Sequence, residues 1–324
     1  MRRRWRLGWR AALLATPVAM CAVGLALSTA HLSNRLTHPA GYEHPGPMGT
    51  LQPTDETVGI DPQSDFGYPF SDVTFPTDGQ ANLRGWLVPG AGNARLGIVT
   101  AHGRGADRRD FLRHVAVFHQ LGVPTLLFDY REHGISDGAR RGMGMGLREA
   151  EDISAAVRFM KQTLGLERVV VVGGSLGASS AILAASRDPA IDGVVAESPF
   201  ASLEAFLDHQ LEQQMARRSV LRHLPRPHWL PRLTTQFTAW RQGIHDLEAP
   251  RDVVAQIAPR PLLLLHGTGD EALEPIHSQE LYGRAGAPKE LWIADDAEHM
   301  RVFDRYPEEY RARIATFLIS VAPE

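Results

Sequence analysis

A chain of 324 residues that is 44% hydrophobic, 22% charged and 7% aromatic has a globular composition, which excludes a disordered or fibrous protein. A formal net charge of -3 gives no global attraction for nucleic acid. A single cysteine, Cys21, excludes a disulfide framework and a cysteine-based zinc site, and it suits an oxidising compartment.

The first ten residues, MRRRWRLGWR, carry five arginines and no acid, and Ala11 to Ala30 then runs twenty residues without a charge. At about 1.5 Å per residue a helix of that length reaches roughly 30 Å, one hydrocarbon thickness. Arginines stay on the cytoplasmic side, so the remainder is expected outside the cytoplasm. Two outcomes follow. Residues 1–30 are either a retained membrane anchor or a signal segment cleaved after Ser28-Thr29-Ala30, which would release the protein. The length favours the anchor. Met20 is too large for the residue that precedes a lipoprotein cysteine. Residues 31–70 are rich in Pro, Gly, His and Thr and read as a linker.

From residue 71 to 324 strands and helices alternate. DVTFPT and LRGWLVPG alternate apolar and polar residues, as outer antiparallel strands do. LGIVTAHG and PTLLFDY are unbroken apolar runs, as expected of strands covered on both faces. FLRHVAVFHQLG and LREAEDISAAVRFMKQTLG repeat apolar residues at helical spacing and end on Gly122 and Gly165. RVVVVGG, DGVVAESPF, PLLLLHGTGD and ELWIADDAEH supply further strands, and YPEEYRARIATFLISV a closing helix. The pattern predicts one α/β domain with a mostly parallel central sheet flanked by helices. Between about 202 and 258 strand signals give way to helical segments with prolines, which predicts a helical cap inserted over the strand ends.

The chemistry centres on GGSLG. A parallel strand turning sharply into a helix lifts Ser175 above the carboxyl edge of the sheet. It also places the free N–H groups of the helix N-terminus beside it. The cramped turn requires small residues two before and two after the serine, here Gly173 and Gly177, the pattern of a nucleophile elbow. Taken alone, a glycine-rich turn that happens to contain serine reads equally well. The partners decide between these readings. A serine hydroxyl needs a base, and the base an orienting acid. Asp270 follows one buried strand and His299 the last, giving the order Ser, Asp, His. Glu197 is an alternative acid. The backbone N–H groups of Leu176 and Arg104, the latter after Gly103, are the expected oxyanion donors, and Gly103 and Gly105 let the backbone approach a substrate closely. His102 is expected to fix that loop by hydrogen bonds.

AHGRG, DYREHGISDG, GGSLG, HGTGD and AEHM, in that order, resemble the α/β-hydrolase superfamily over roughly residues 72–321. With the N-terminal apolar segment, the set is similar to the monoacylglycerol-lipase and membrane-tethered Bem46-like branches. The resemblance implies an acyl ester, lysophospholipid or thioester substrate and no cofactor. It makes Asp129, Arg131 and His133 structural. Three residues depart from the pattern. Glu132 replaces a glycine and is expected to alter the pocket rim. Glu298 precedes the histidine where glycine is common and places a negative charge near it. Pro275 falls one position late after the acid.

The other motifs are weaker. GMGMG, Gly142 to Gly146, lacks a preceding strand and a P-loop lysine and reads as a flexible loop. No histidine pair has metalloprotease spacing, so no metal is expected. Ala216 to Leu233 holds five arginines, no acid and Trp229 among leucines. That suits an anionic membrane face or an acidic-headed amphiphile, or equally a solvated cap surface. Three functions remain open: a serine hydrolase of esters or thioesters, an exported serine peptidase using Glu204 or Glu212 to anchor a peptide N-terminus, and a non-catalytic binding protein.

Overall fold

A computed structural model describes residues 23–38, 60–78, 81–91, 94–138, 141–218, 223 and 225–322. Eight strands form one sheet: β1 (Ser71–Pro76), β2 (Asn82–Val88), β3 (Leu96–Ala101), β4 (Thr125–Asp129), β5 (Arg168–Gly174), β6 (Gly193–Glu197), β7 (Leu262–Gly267) and β8 (Lys289–Ala294). Their order is β1-β2-β4-β3-β5-β6-β7-β8. β2 runs antiparallel to β1 and β4, and every other pairing is parallel. The helices are α1 (Pro62–Phe66), α2 (Val115–Gln120), α3 (Leu147–Leu164), α4 (Leu176–Arg187), α5 (Leu203–Ala216), α6 (Trp229–Gln242), α7 (Pro250–Val253), α8 (Ile276–Arg284), α9 (Val302–Arg305) and α10 (Pro307–Val321).

The valine run of β5 shows how the sheet acquires two dry faces. Successive strand side chains point to opposite sides. Val169 and Val171 enter the core under α3 and α4, whereas Val170 and Val172 enter the core under α2 and α10. Crossover helices on both faces are what a parallel sheet demands. The C-termini of the parallel strands β3 to β8 therefore share one edge, and the loops leaving β3, β5, β6, β7 and β8 meet above it.

Between β6 and β7 lie α5 and α6. Residues 250–257 belong to the flanking layer rather than to the expected cap, because Val253, Val254 and Ile257 are buried in the same cluster as α4. The expected linker also departs from a tether at its start. Residues 23–37 are helical, and Thr29, Ser33, Leu36 and Thr37 are buried. Ser33 Oγ accepts from Thr238 Oγ1 of α6 at 2.9 Å, and the Thr37 carbonyl accepts the Met143 N–H at 2.9 Å. Small hydroxylated residues at helical spacing make this packed face nearly invisible to hydropathy. Most of the expected anchor, residues 1–22, lies outside the described residues. Among the described residues no helix is long and apolar enough to cross a membrane.

Candidate active site

Ser175 stands between β5 and α4 with φ 52° and ψ -115°, a region that side chains with a Cβ avoid. The turn is held from both sides. The Ser175 N–H donates to the Glu197 carbonyl at 2.8 Å, and the Ser175 carbonyl accepts the Ser179 N–H at 3.1 Å. Glycines are required where backbones touch. A Cβ on Gly173 would lie 2.5 Å from the Gly177 carbonyl oxygen, and one on Gly177 would lie 1.9 Å from the Ala101 carbonyl oxygen. Gly177→Ala is therefore expected to lose at least about 3 kcal/mol of stability or fail to fold, whereas Gly103→Ala, whose nearest new contacts would be at 3.4 Å, keeps the fold. Thermal melts of the two variants make the comparison.

Leu176 opens α4, where the first N–H groups have no partner within the helix. Gly103 lies close by: a Cβ there would sit 3.8 Å from the Ser175 Cβ and 3.4 Å from Met300 Sδ. The Gly103 N–H is held at 2.9 Å by Asp110 Oδ2, and burial pushes the Asp110 carboxyl above its usual range. Arg104 follows on the turn, its guanidinium 5.9 Å from the Phe206 ring of α5. His102 is buried, with Nδ1 2.9 Å from the Gly103 carbonyl and Nε2 3.3 Å from the Tyr130 N–H. Burial lowers its pKa to about 4, so it is neutral, donating through Nδ1 and accepting through Nε2.

The loops after β7 and β8 bring Asp270 and His299 together, with Nδ1 of His299 2.7 Å from Asp270 Oδ2. Burial alone would raise the Asp270 carboxyl, but hydrogen bonds from His266 and His299 hold it well below the usual carboxylate range. An ionised carboxylate only accepts, so Nδ1 of His299 carries a proton, and in the neutral ring that leaves the lone pair on Nε2. Asp270 Oδ1 accepts the Ala272 and Leu273 N–H groups at 3.0 and 2.8 Å. Sequence reasoning missed His266. Its Nε2 lies 3.3 Å from Asp270 Oδ2 and 2.9 Å from the Leu273 carbonyl, while Nδ1 lies 2.7 Å from Ser278 Oγ. Both Nε2 partners are acceptors, so Nε2 carries the proton and Nδ1 accepts from the Ser278 hydroxyl. Asp270 Oδ2 thus receives two imidazole N–H groups.

Ser175 and His299 are not hydrogen-bonded to each other among the described residues. The two loops are joined through Met300 and Glu197. A Cβ on Gly174 would lie 2.1 Å from Met300 Cε. The Met300 carbonyl accepts from Arg113 at 3.0 Å, and Arg113 pairs with Asp304 at 3.2 Å. Glu197 binds the Ser175 N–H through its carbonyl and the Val302 N–H through its carboxylate, at 2.9 Å. Glu197, the alternative acid in the sequence, thus meets the backbone after His299, while the His299 ring meets Asp270.

Burial raises the Glu197 carboxyl from 4.5 to about 7, against the lowering pull of the Val302 N–H, Arg113 and His299. A carboxyl whose pKa is higher folded than unfolded favours folding fully below the unfolded value and loses that contribution as pH rises through the folded one. The difference is worth about 3 kcal/mol. Glu197→Gln keeps an acceptor for Val302, so urea unfolding at pH 5 and pH 8 is expected to show a smaller loss of stability in the variant than in the wild type.

Two expectations are revised. Glu132 is buried, not at a rim. Its φ of 68° is a conformation that glycine adopts freely, and its carboxylate accepts the Arg141 N–H at 3.2 Å. Residues 142–146 are pinned rather than flexible. Glu149 accepts the Gly144 and Gly146 N–H groups at 2.7 Å each, and Met143 and Met145 are buried beside Leu36, Leu176, Phe200 and Leu203. Glu212 pairs with Arg226 at 2.5 Å at the surface. Elsewhere, Glu298 is exposed. Asp129 is gripped by Arg108 at 2.5 Å, Arg131 pairs with Asp152 at 2.7 Å, and His133 Nδ1 lies 3.1 Å from the Arg131 carbonyl. Among the described residues no group of three His, Cys, Asp or Glu side chains could hold a metal.

A cavity of about 140 Å³ lies under the cap, walled by Met145, Leu183, Phe200, Leu203, Thr238 and Ala239, with Glu204 also on its lining. Met145, Phe200 and Leu203 also belong to the apolar cluster that contains Leu176, the residue after Ser175.

The sheet order, the strained serine turn and the acid–histidine pair define an α/β-hydrolase architecture. The sequence model of the Alpha/beta hydrolase family matches residues 98–313, and the chain belongs to that family. Among solved structures it is similar to the Pyrococcus furiosus esterase Pf2001, at 27% identity and a TM-score of 0.65, covering 82% of this chain and 98% of that one. Among curated proteins it is 26% identical over 277 residues to the uncharacterized protein YfhR of Escherichia coli O157:H7, covering 83% of this chain and 85% of that protein. It is also 26% identical over 268 residues to the polyketide transferase ATR5 of Stachybotrys chlorohalonatus, covering 71% and 89% respectively.

Proposed function

We propose that the protein is a serine hydrolase that cleaves carboxylic ester or thioester bonds of acyl or lipid-like substrates through an acyl-enzyme. The observation that carries this reading is the 2.7 Å pair of Asp270 and His299 on loops that pack through Met300 against the strained turn of Ser175. In this scheme Ser175 Oγ attacks the acyl carbon while His299 Nε2 takes its proton. Asp270 holds the imidazole in the Nδ1–H tautomer and stabilises the imidazolium. The Leu176 and Arg104 N–H groups receive the oxyanion. The protonated Nε2 then gives its proton to the leaving alcohol or thiol, and water attacks the ester formed on Ser175 by the same steps in reverse. Hydrogen bonds from nucleophile to base commonly tighten only once substrate is bound.

The Met145, Leu183, Phe200 and Leu203 side chains in the cavity under the cap support an acyl group on that side. The similarity to an esterase points the same way. The N-terminal arginines and apolar run support a location outside the cytoplasm, tethered or released. A fluorophosphonate probe tests the nucleophile, and p-nitrophenyl esters of increasing chain length set against aminoacyl anilides test the bond. Absence of labelling leaves the binding-protein reading. Anilide cleavage without ester cleavage leaves the peptidase.

A further inference from the structure

α6 is turned inside out. Its inward face consists of Pro231, Thr234, Thr235, Thr238, Ala239 and Gln242, all buried. Its outward face carries Trp229 and Trp240, 56% and 73% exposed, with Arg232 and Gln236 exposed between them. The two tryptophans are three turns apart at about 3.6 residues per turn, so they share one face. A helix facing water has the opposite order, with its apolar residues inward. The cavity does not account for the outward tryptophans, since Thr235, Thr238 and Ala239 line it from the inner face.

The helical stretch beside α6 has the same character. From Thr29 on it is docked, with Ser33 on Thr238 and Thr37 receiving a hydrogen bond from Arg241. Before Thr29 it stands clear of the domain: residues 23–28 are all exposed, including Val23 at 58% and Leu27 at 66%. A helix end that is apolar on every side has no reason to face water. In the sequence this end continues back through uncharged residues to Ala11 and then to five arginines. α6 itself carries Arg232 and Arg241 and no acid, and exposed Arg217 and Arg218 follow α5.

We propose that the outward face of α6 and residues 23–28 form a docking surface for an anionic phospholipid bilayer. Trp229 and Trp240 sit at the level of the headgroups, where the apolar body of an indole is buried and its N–H remains wet. The arginines face the lipid phosphates. A second copy of the chain is the weaker occupant, because a twofold pairing of this face brings arginine against arginine with no acid on α6 to offset them.

The test uses the full chain with Cys21→Ser and one new cysteine, either Trp240→Cys, Trp229→Cys or Ile319→Cys. Each is labelled with an environment-sensitive fluorophore. Ile319 is 76% exposed and lies on α10, whose C-terminal end packs at the start of β6, away from the cap. The vesicles are phosphatidylcholine with phosphatidylglycerol, with and without nitroxide-labelled lipid. The expected result is a blue shift and nitroxide quenching at 240 and 229, loss of access to an aqueous quencher, and no change at 319. Salt is expected to weaken the effect. Failure to bind vesicles, binding with positions 229 and 240 still open to the aqueous quencher, or shielding that grows with protein concentration without lipid would each overturn the proposal. Hydrolysis of a soluble p-nitrophenyl ester by the same preparations reports on the Ser175 reaction separately.

Discussion

Ser175→Ala is expected to lower kcat/KM toward p-nitrophenyl esters by about ten-thousand- to million-fold while leaving the fold intact. The loss is large because the hydroxyl is the only atom removed and the acyl-enzyme cannot form without it. The fold survives because the bonds that hold this turn use the main chain of residue 175, to Glu197 and Ser179, and alanine keeps the Cβ. Stability should stay within about 0.5 kcal/mol of wild type. Fluorophosphonate labelling and ester turnover, run beside a thermal melt, check both halves. A variant that still turns over ester near the wild-type rate removes Ser175 as nucleophile.

Asp270→Asn is the second severe change, with an expected drop of about ten-thousand-fold in kcat. Asp270 Oδ1 is committed to the Ala272 and Leu273 N–H groups, so an amide must keep its oxygen there. Its NH2 would then occupy the place of Oδ2 and face the N–H groups of both His266 and His299. Donor cannot meet donor. His299 relieves the clash by moving its proton to Nε2, which leaves no lone pair for the serine proton. The pH–rate profile separates this from simple unfolding. In the variant the base should be defective at every pH at which the protein is folded, with no pH restoring the wild-type rate. Activity close to wild type would show that Asp270 does not fix the tautomer.

The local parts of this site could be read from sequence because short-range geometry dictates them. Gly173 and Gly177 flank the serine because any Cβ meets a carbonyl there, a constraint confined to five consecutive residues. The valine run predicts a strand buried on both sides because a parallel sheet leaves no wet face. What could not be read comes from contacts between distant segments. Arg113 reaches the Met300 carbonyl across 187 positions, and His266 meets Asp270 through a loop whose path no periodicity encodes. Glu149 rigidifies residues 144–146 through backbone N–H groups, so a glycine-rich string that reads as mobile is held in place. Residues 31–37 read as linker, although they are helical, because this stretch docks through threonine and serine, which hydropathy scores as exposed.

The division of labour between sheet edge and cap has an evolutionary consequence. The turn that carries Ser175 rests on main-chain contacts so close at Gly173 and Gly177 that even a methyl group is barred, while the cavity walls include side chains of α5, α6, Met145, Leu183 and Phe200, which can be exchanged. On the proposed chemistry, mutations that drift through the walls retune which molecule is accepted without moving Ser175, Asp270 or His299. A lineage using this frame is therefore free to change diet long before it changes chemistry.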